Sequence, residues 1–320
     1  MVPGTADPAR HALKLRWAQA RARVRVGACA AALTLAAGAC HADSLRYCDS
    51  PAKLSAAQQD KLLRVSGIIK AELERSGTSL ALIARSGLKL GLFGMRYSHA
   101  GLTLKASPDT RWAVRQLYFA CEEQQPRLFD QGLAAFLLGT DEPALGYISV
   151  VTMPKAASAT LETVALDNAR ALALLGGTYS ANAYAYGLRY QNCNQWLAEL
   201  LATAWSKPRP GDDPRAAAQG WLKAEGYEAA AFQLPARPFL WLTGLSPWLQ
   251  RDDHPEADLQ QARLRVSMPA SIESFVRDRM PGAERLEFCH TDKHVVVRRG
   301  WAPIADGCVP AAQDTVIALD

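Results

Sequence analysis

The chain has 320 residues, with 36 Lys and Arg against 31 Asp and Glu, and a formal net charge of +5. Six of the basic residues and one acidic residue lie within residues 1–42, so residues 43–320 hold 30 of each sign. A neutral remainder without a basic block excludes a nucleic-acid surface from our expectations. The length suits one domain with an appendage, or two small domains.

Residues 1–42 have the pattern of a secretory signal peptide. Basic residues up to Arg25 precede an apolar run over residues 26–39, which is too short to span a bilayer. The small residues Cys40 and Ala42 stand at the −3 and −1 positions of a cut after Ala42. We therefore expect a periplasmic or secreted protein. The alternative is a lipoprotein anchored at Cys40, with Ala37 where Leu is usual.

The first elements in chain order are helix and strand. A helix is predicted over 55–76, because Ser55 and Gln58 form a capping box, an apolar stripe follows and Gly77 stands after its end. Later elements are predicted as strands over 79–85, 96–104, 111–121 and 146–154, and helices over 129–139 and 159–176. The sequence predicts an α+β fold, with a small antiparallel sheet packed on helices.

The second half begins with a helix over 192–205, for which Asn192 is the predicted N-cap. A helix from Pro214, a helix over 271–280 and a strand–turn–strand unit around "LEFCHTDKHVVVRRGW" follow. Residues 234–249 are apolar and broken by proline. Trp241 and Trp248 are interfacial residue types, but such a run is more typical of a core helix or cover than of membrane contact. Residues 236–320 are predicted to form a C-terminal extension of a domain over 43–235.

Five cysteines follow residue 42, and export predicts an oxidising compartment in which thiols pair. An odd number leaves at least one thiol free. The most economical pairing joins Cys289 to Cys308 and Cys48 to Cys121, which leaves Cys193. Other connectivities stay open at this point.

A zinc site at the C-terminal cysteines is the alternative to their disulfide. Cys289, His290, His294 and Cys308 are residue types that bind zinc. Adjacent residues of a strand point to opposite faces, however, so Cys289 and His290 suit one metal poorly. We favour the disulfide, and expect no metal and no cofactor.

Cys193 is predicted in the first turn of a helix, where free N–H groups and the helix dipole lower a thiol pKa and bind an oxyanion. A nucleophilic thiol also needs a base. His99, flanked by small and apolar residues on a strand, is the candidate. The alternative is that Cys193 is a buried structural thiol and His99 a hydrogen-bonded core histidine.

Two motifs carry a resemblance to a known family: "YSHAGL" around His99 and "YQNCNQWLAELL" around Cys193. With the histidine strand before the cysteine helix, the chain resembles the circularly permuted papain-like cysteine hydrolases, which include the lecithin-retinol acyltransferase-like proteins and related bacterial lipoprotein-type peptidases. This similarity covers roughly residues 60–205 and implies a papain-like fold for the domain over 43–235. The longer pattern is similar to an uncharacterised proteobacterial family, domain-of-unknown-function family 2145.

The resemblance also implies roles for individual residues. Cys193 would attack an amide, ester or thioester, His99 would move the proton, and a polar residue on the next strand would orient the imidazole. Gln116 is the candidate for that third role, with Asp109 in the preceding turn, because the strand offers no His or Asn. The implied substrate is a peptide or acyl group in the cell envelope. The alternative function is a catalytically inactive envelope binding protein on the same scaffold.

Overall fold

The structure is a computed structural model that describes residues 54–140, 142–206, 211–243 and 246–319. The predicted signal segment and Cys40 and Cys48 lie outside these residues, so the signal cleavage, the lipid anchor and the pairing of Cys48 remain predictions. Cys121 is disulfide-bonded.

The described residues form nine α-helices and ten strands. The helices are α1 (Ala56–Ser76), α2 (Leu133–Leu138), α3 (Lys155–Leu166), α4 (Asn168–Ala173), α5 (Cys193–Trp205), α6 (Pro214–Ala224), α7 (Phe239–Thr243), α8 (Glu256–Gln260) and α9 (Pro269–Arg279). The strands are β1 (Leu80–Arg85), β2 (His99–Leu104), β3 (Ala113–Ala120), β4 (Gln125–Gln131), β5 (Gly146–Thr152), β6 (Ala230–Gln233), β7 (Arg263–Val266), β8 (Glu284–His290), β9 (His294–Arg299) and β10 (Thr315–Ala318).

An eight-stranded antiparallel sheet organises the fold, in the order β10-β9-β8-β5-β1-β2-β3-β4. Its centre is β1, which pairs with β2 on one side and β5 on the other. A separate two-stranded antiparallel sheet joins β6 and β7. The α+β prediction is confirmed. The sheet is larger than expected, because β8 pairs with β5 and so adds three strands from residues 284–318.

Helices cover both faces of the large sheet. On one face, Val65, Ile69 and Leu73 of α1 join a core cluster with residues of α2 and of the central strands. On the other face, Leu82 lies opposite Leu102 in the register, and both are almost fully buried. Helix α5 contacts β2, β3, α3 and α6, so it lies in the interior of the protein.

The termini of the first helix form as predicted. Ser55 caps α1, since its side chain accepts a hydrogen bond from the N–H of Gln58 while the Gln58 side chain binds the Ser55 N–H. Gly77 ends the helix in the left-handed conformation, with φ of 70°. Glycine adopts this conformation without a Cβ penalty.

Two predicted helices differ from the structure. Residues 129–131 belong to strand β4, and only Leu133–Leu138 is helical, because Asp130 forms an ion pair with Arg115 across the β3–β4 pair. The helix predicted over 159–176 is two helices. Asp167 ends α3 and caps α4 through the N–H groups of Ala169 and Arg170.

The disulfide predicted between Cys289 and Cys308 is present, with a Cα–Cα distance of 5.5 Å. Both cysteines of the alternative zinc site are therefore oxidised to a disulfide and are not free thiolate ligands. Among the described residues, no helix has the length and apolar character needed to cross a bilayer.

Candidate active site

Cys193 is the first residue of helix α5, as the sequence predicts. Asn192 caps this helix with its side-chain oxygen, which accepts a hydrogen bond of 2.7 Å from the N–H of Gln195. The side-chain nitrogen of Asn192, Nδ2, donates in turn to the carbonyl oxygens of Ala181 (3.2 Å) and Ser267 (3.4 Å). The cap therefore fixes the helix start to two other segments of the chain.

The thiol of Cys193 is buried and not part of a disulfide. Only 8% of the residue is exposed, and it is the free cysteine among the described residues. The backbone N–H groups of Asn194 and Cys193 favour the charged form of this sulfur and so oppose the rise of its pKa on burial. These are the N–H groups that a first helical turn leaves without an intrahelical acceptor.

The structure brings His99 and Gln116 to this thiol. His99 Nδ1 lies 3.1 Å from Cys193 Sγ, although the residues are 94 positions apart. On the other side of the ring, His99 Nε2 hydrogen-bonds to Gln116 Oε1. A carboxamide oxygen only accepts, so Nε2 carries the proton and the lone pair of Nδ1 faces the thiol. The arrangement suits proton transfer from sulfur to Nδ1.

Burial disfavours the charged form of both members of the pair. Burial raises the pKa of the Cys193 thiol to about 12, and the N–H of Asn194 and the charge of Arg85 only partly oppose it. Burial, assisted by the charge of Arg85, lowers the pKa of His99 to about 3, against the hydrogen bond to Gln116. Our expectation of a lowered thiol pKa is wrong, since the cost of burying the charge outweighs the helix N-terminus.

Arg85 is a neighbour of the pair that the sequence analysis missed. It is the last residue of β1 and lies directly opposite His99 in the β1–β2 register, so the two side chains share a face of the sheet. Its guanidinium lies 5.3 Å from the centre of the Phe136 ring, which also contacts the His99 ring at 5.8 Å. The feature of the sequence that could have indicated Arg85 is its position as a charged residue at the end of an otherwise apolar strand.

Asn194 links the two halves of the site. Its side-chain nitrogen donates to the carbonyl oxygen of Ser98 at 3.2 Å. Ser98 precedes His99, and Asn194 follows Cys193, so this bond joins the neighbours of the two reacting residues. It helps to set the separation between Sγ and Nδ1.

Asp109 and the other described histidines lie elsewhere. Asp109 is exposed in the turn after β2, at the end of that strand opposite to His99. His254 is buried and bonds to the carbonyl oxygen of Asn182 at 2.8 Å. His290 and His294 lie on β8 and β9. In the described part of the chain, no group of three His, Cys, Asp or Glu residues has the geometry to hold a metal ion.

Comparison with known proteins identifies a bacterial family. A family model described as "Uncharacterized protein conserved in bacteria (DUF2145)" matches residues 72–276, which contain His99, Gln116 and Cys193. No curated protein and no solved structure matches the chain at a significant level.

Proposed function

Because the chain belongs to this bacterial family, DUF2145, whose description names no activity, we propose its function from the geometry of the site. We propose a thiol hydrolase or acyltransferase of papain-like arrangement, in which Cys193 attacks the carbonyl carbon of an amide, ester or thioester. The observation that carries this proposal is the 3.1 Å contact between Cys193 Sγ and the unprotonated Nδ1 of His99.

The roles follow from the atoms in contact. His99 Nδ1 takes the thiol proton as the S–C bond forms, and later donates it to the leaving group. Gln116 holds the ring through Nε2 and so keeps Nδ1 available as the base. The N–H of Cys193 contributes to stabilisation of the tetrahedral oxyanion. Water, or an acceptor molecule, then attacks the acyl thioester and releases the product.

The burial of the pair sets the order of events. With the thiol pKa near 12 and the His99 pKa near 3, a thiolate–imidazolium pair is unfavourable at rest. Proton transfer therefore accompanies attack on a bound carbonyl. This mechanism requires no cofactor, and a cell-envelope peptide or acyl group is the proposed substrate.

The same burial favours a second candidate function, a catalytically inactive binding protein on this scaffold. A neutral thiol that is 8% exposed is a poor nucleophile without a substrate to displace its cover. In this alternative, the Cys193–His99 contact has only a structural role.

Transfer of an acyl group from p-nitrophenyl acetate distinguishes the two functions. We expect the wild-type protein to release p-nitrophenolate and to carry an acetyl group on Cys193, mapped by mass spectrometry. Cys193→Ser and His99→Ala should lose this product, while His294→Ala, on β9, serves as the matched histidine control. Absence of acylation in the wild type, together with iodoacetamide labelling only after denaturation, would refute the enzyme and support the inactive scaffold.

A further inference from the structure

Large apolar side chains are exposed on two segments that are far apart in the sequence. In the connection between β1 and β2, Leu92 is 98% exposed and Leu88 is 39% exposed. In helix α7, Trp241 is 73% exposed and Phe239 is 46% exposed. Scattered exposed apolar residues are ordinary, but a grouped set marks an interaction surface.

The two segments flank one apolar cluster. Leu240 of α7 is buried in a cluster with Leu264, Val266 and Met268, and Leu90 of the β1–β2 connection packs against the same cluster. The next turn of that connection is anchored as well, since the Phe93 ring contacts the Phe232 ring at 5.1 Å. Leu92 and Trp241 thus each lie within two residues of a side chain that packs in this one cluster.

A groove opens beside Trp241, with a volume of about 820 Å³. Its apolar lining comes from Pro238, Leu240, Trp241 and Leu259. The sequence of this region is more typical of a core helix or cover than of membrane contact. Leu240 is buried as such a cover requires, whereas Trp241 is directed to solvent.

Two arginines and two acidic residues give the groove a mixed charged lining. Arg237 and Arg251 both line it, and the Arg251 guanidinium lies 5.8 Å from the Trp241 ring centre. Of the two acidic residues in the lining, Asp252 is paired with Arg189 at 2.8 Å, and the other is Glu256. With Asp252 paired to Arg189, Arg237 and Arg251 outnumber Glu256 beside apolar side chains, and this combination complements a molecule with an anionic head and an apolar body.

We propose that this docking face, formed by Leu88, Leu92, Phe239 and Trp241 with Arg237 and Arg251, binds the surface of an anionic lipid bilayer. Leucine and phenylalanine side chains insert below the headgroups, and tryptophan occupies the interface itself. The arginines contact lipid phosphates, and anionic lipid attracts them further. Since the β1–β2 connection joins Arg85 to His99, docking holds the Cys193–His99 pair near the membrane.

Vesicle co-sedimentation tests the proposal on the intact protein without any turnover. We expect binding to vesicles that contain phosphatidylglycerol, weaker binding to phosphatidylcholine alone, and loss of binding as salt is added. Leu92→Ser and Trp241→Ser should each bind at least tenfold more weakly. Leu172→Ser is the matched control, because Leu172 is 53% exposed on α4, outside the docking face.

Further measurements separate membrane docking from other causes. Circular dichroism and urea unfolding identify a variant that has lost its fold. Insertion of the Trp241 indole should shift the tryptophan fluorescence of the folded wild type to the blue when vesicles are added, and Trp241→Phe should lack this shift. No vesicle binding by the wild type, or equal binding by Leu92→Ser, would overturn the proposal. Self-association that depends on Leu92 and Trp241 in sedimentation velocity, without vesicle binding, would assign the face to a second copy instead. Acylation of Cys193 is measured separately, so failure of the proposed activity leaves this result unaffected.

Discussion

Gly101 lies against Gln116 with no space for a side chain between them. A Cβ on Gly101 would lie 3.3 Å from the Cβ of Gln116, 2.9 Å from the carbonyl oxygen of Arg115 and 2.7 Å from Val114 Cγ1. The glycine of the "SHAGL" segment thus allows β3 to approach β2 closely, two residues after His99. This close approach positions Gln116 to bind the imidazole.

Gly101→Ala should therefore disturb both the sheet and the site. Because two of the three close atoms belong to β3 backbone or a β-branched side chain, the added methyl group forces the strands apart. We expect a loss of about 1–3 kcal/mol of unfolding free energy, as for other overpacked positions. Urea denaturation measures it, and the NMR resonance of His99 Nε2 reports whether the contact with Gln116 survives.

Gly67→Ala is the matched control for that substitution. Gly67 is an exposed residue inside α1, and a Cβ there meets nothing within 4 Å. Alanine should stabilise the helix by about 0.5–1 kcal/mol. If Gly101→Ala is as stable as the wild type, the proposed close approach of β2 and β3 is wrong.

Substitutions of Gln116 should change the reactivity of the thiol in opposite directions. Glu at this position would place a carboxylate beside Nε2 and raise the pKa of His99, which favours transfer of the Cys193 proton to Nδ1. Leu would leave the Nε2–H group of His99 without an acceptor. The ring would then no longer be held in the tautomer that leaves Nδ1 unprotonated. Alkylation by iodoacetamide at pH 7 should be faster for Gln116→Glu and slower for Gln116→Leu.

Asp109→Asn provides the control for the Gln116 variants, since Asp109 is exposed at the far end of β2. Its labelling rate should match that of the wild type. Equal rates for Gln116→Glu and Gln116→Leu would show that Gln116 does not act on the imidazole.

The local part of this site could be predicted from the sequence, and the long-range part could not. The Asn192 cap places Cys193 in a first helical turn, and this follows from neighbouring residues alone. The position of Arg85 opposite His99 depends on the register of β1 and β2, which no short motif specifies. Burial of Cys193 depends on every element around α5, and this is why the direction of its pKa shift was missed.

The same distinction applies to the fold. The capping box of α1 and the strand–turn–strand unit of β8 and β9 have local signatures, and both form. The sequence predicts helix from residue 129, but residues 129–131 end strand β4, because pairing with β3 holds them extended and Asp130 forms an ion pair with Arg115. Pairing of β8 with β5 joins segments more than a hundred residues apart, and local patterns carry no information about it.

Arg85 should tune both reacting groups through its charge. The positive charge lowers the pKa of Cys193 and the pKa of His99, in each case after the larger effect of burial. Arg85→Gln removes it, so both pKa values should rise. The alkylation profile of Cys193 should move to higher pH, and the NMR titration of His99 should move in the same direction.

Arg64→Gln is a matched control for Arg85→Gln, because Arg64 forms an exposed ion pair with Asp60 on α1. Its profile should coincide with that of the wild type. An unchanged alkylation profile in Arg85→Gln would mean that this charge does not reach the thiol.

Stability should depend on His99 in the acid range. The pKa of His99 is about 3 in the folded protein against an ordinary value of 6.5. Between these values the unfolded chain binds a proton that the folded chain does not, so stability is lost as the pH falls from about 6.5 to about 3. Burial likewise lowers the pKa of His290 to about 4, which adds a second contribution in the same direction.

Urea unfolding at several pH values tests the contribution of His99. In His99→Gln the loss of stability on acidification should be smaller by up to about 1.4 kcal/mol per pH unit between pH 6 and 4, the value for one proton. Cys193→Ser is the control, since it removes the other member of the pair and no group that titrates there. Identical slopes in the wild type and His99→Gln would contradict a depressed His99 pKa.

A buried ion pair holds the loop that delivers Cys193 to the sheet. Glu199, on α5, is fully buried, and its carboxylate accepts bonds from Arg215 (2.9 and 3.0 Å), Gln219 (2.7 Å) and Gln191 (2.6 Å). Arg215 also donates to the carbonyl oxygen of Leu188 at 2.8 Å, and this fixes the chain just before the helix. Burial raises the pKa of Glu199, and Arg215 opposes that rise.

Removal of one partner from this pair should be costly, because it leaves the other charge buried alone. We expect Glu199→Ala to lose about 3–5 kcal/mol in urea unfolding, and the double variant Glu199→Ala with Arg215→Met to recover much of that loss. Glu123→Ala is the comparison, since Glu123 and Arg127 are about half exposed and such pairs contribute about 0–1 kcal/mol. If Glu199→Ala costs no more than Glu123→Ala, water reaches the Arg215 guanidinium, and the loop before Cys193 is held by its other contacts, such as those of the Asn192 cap.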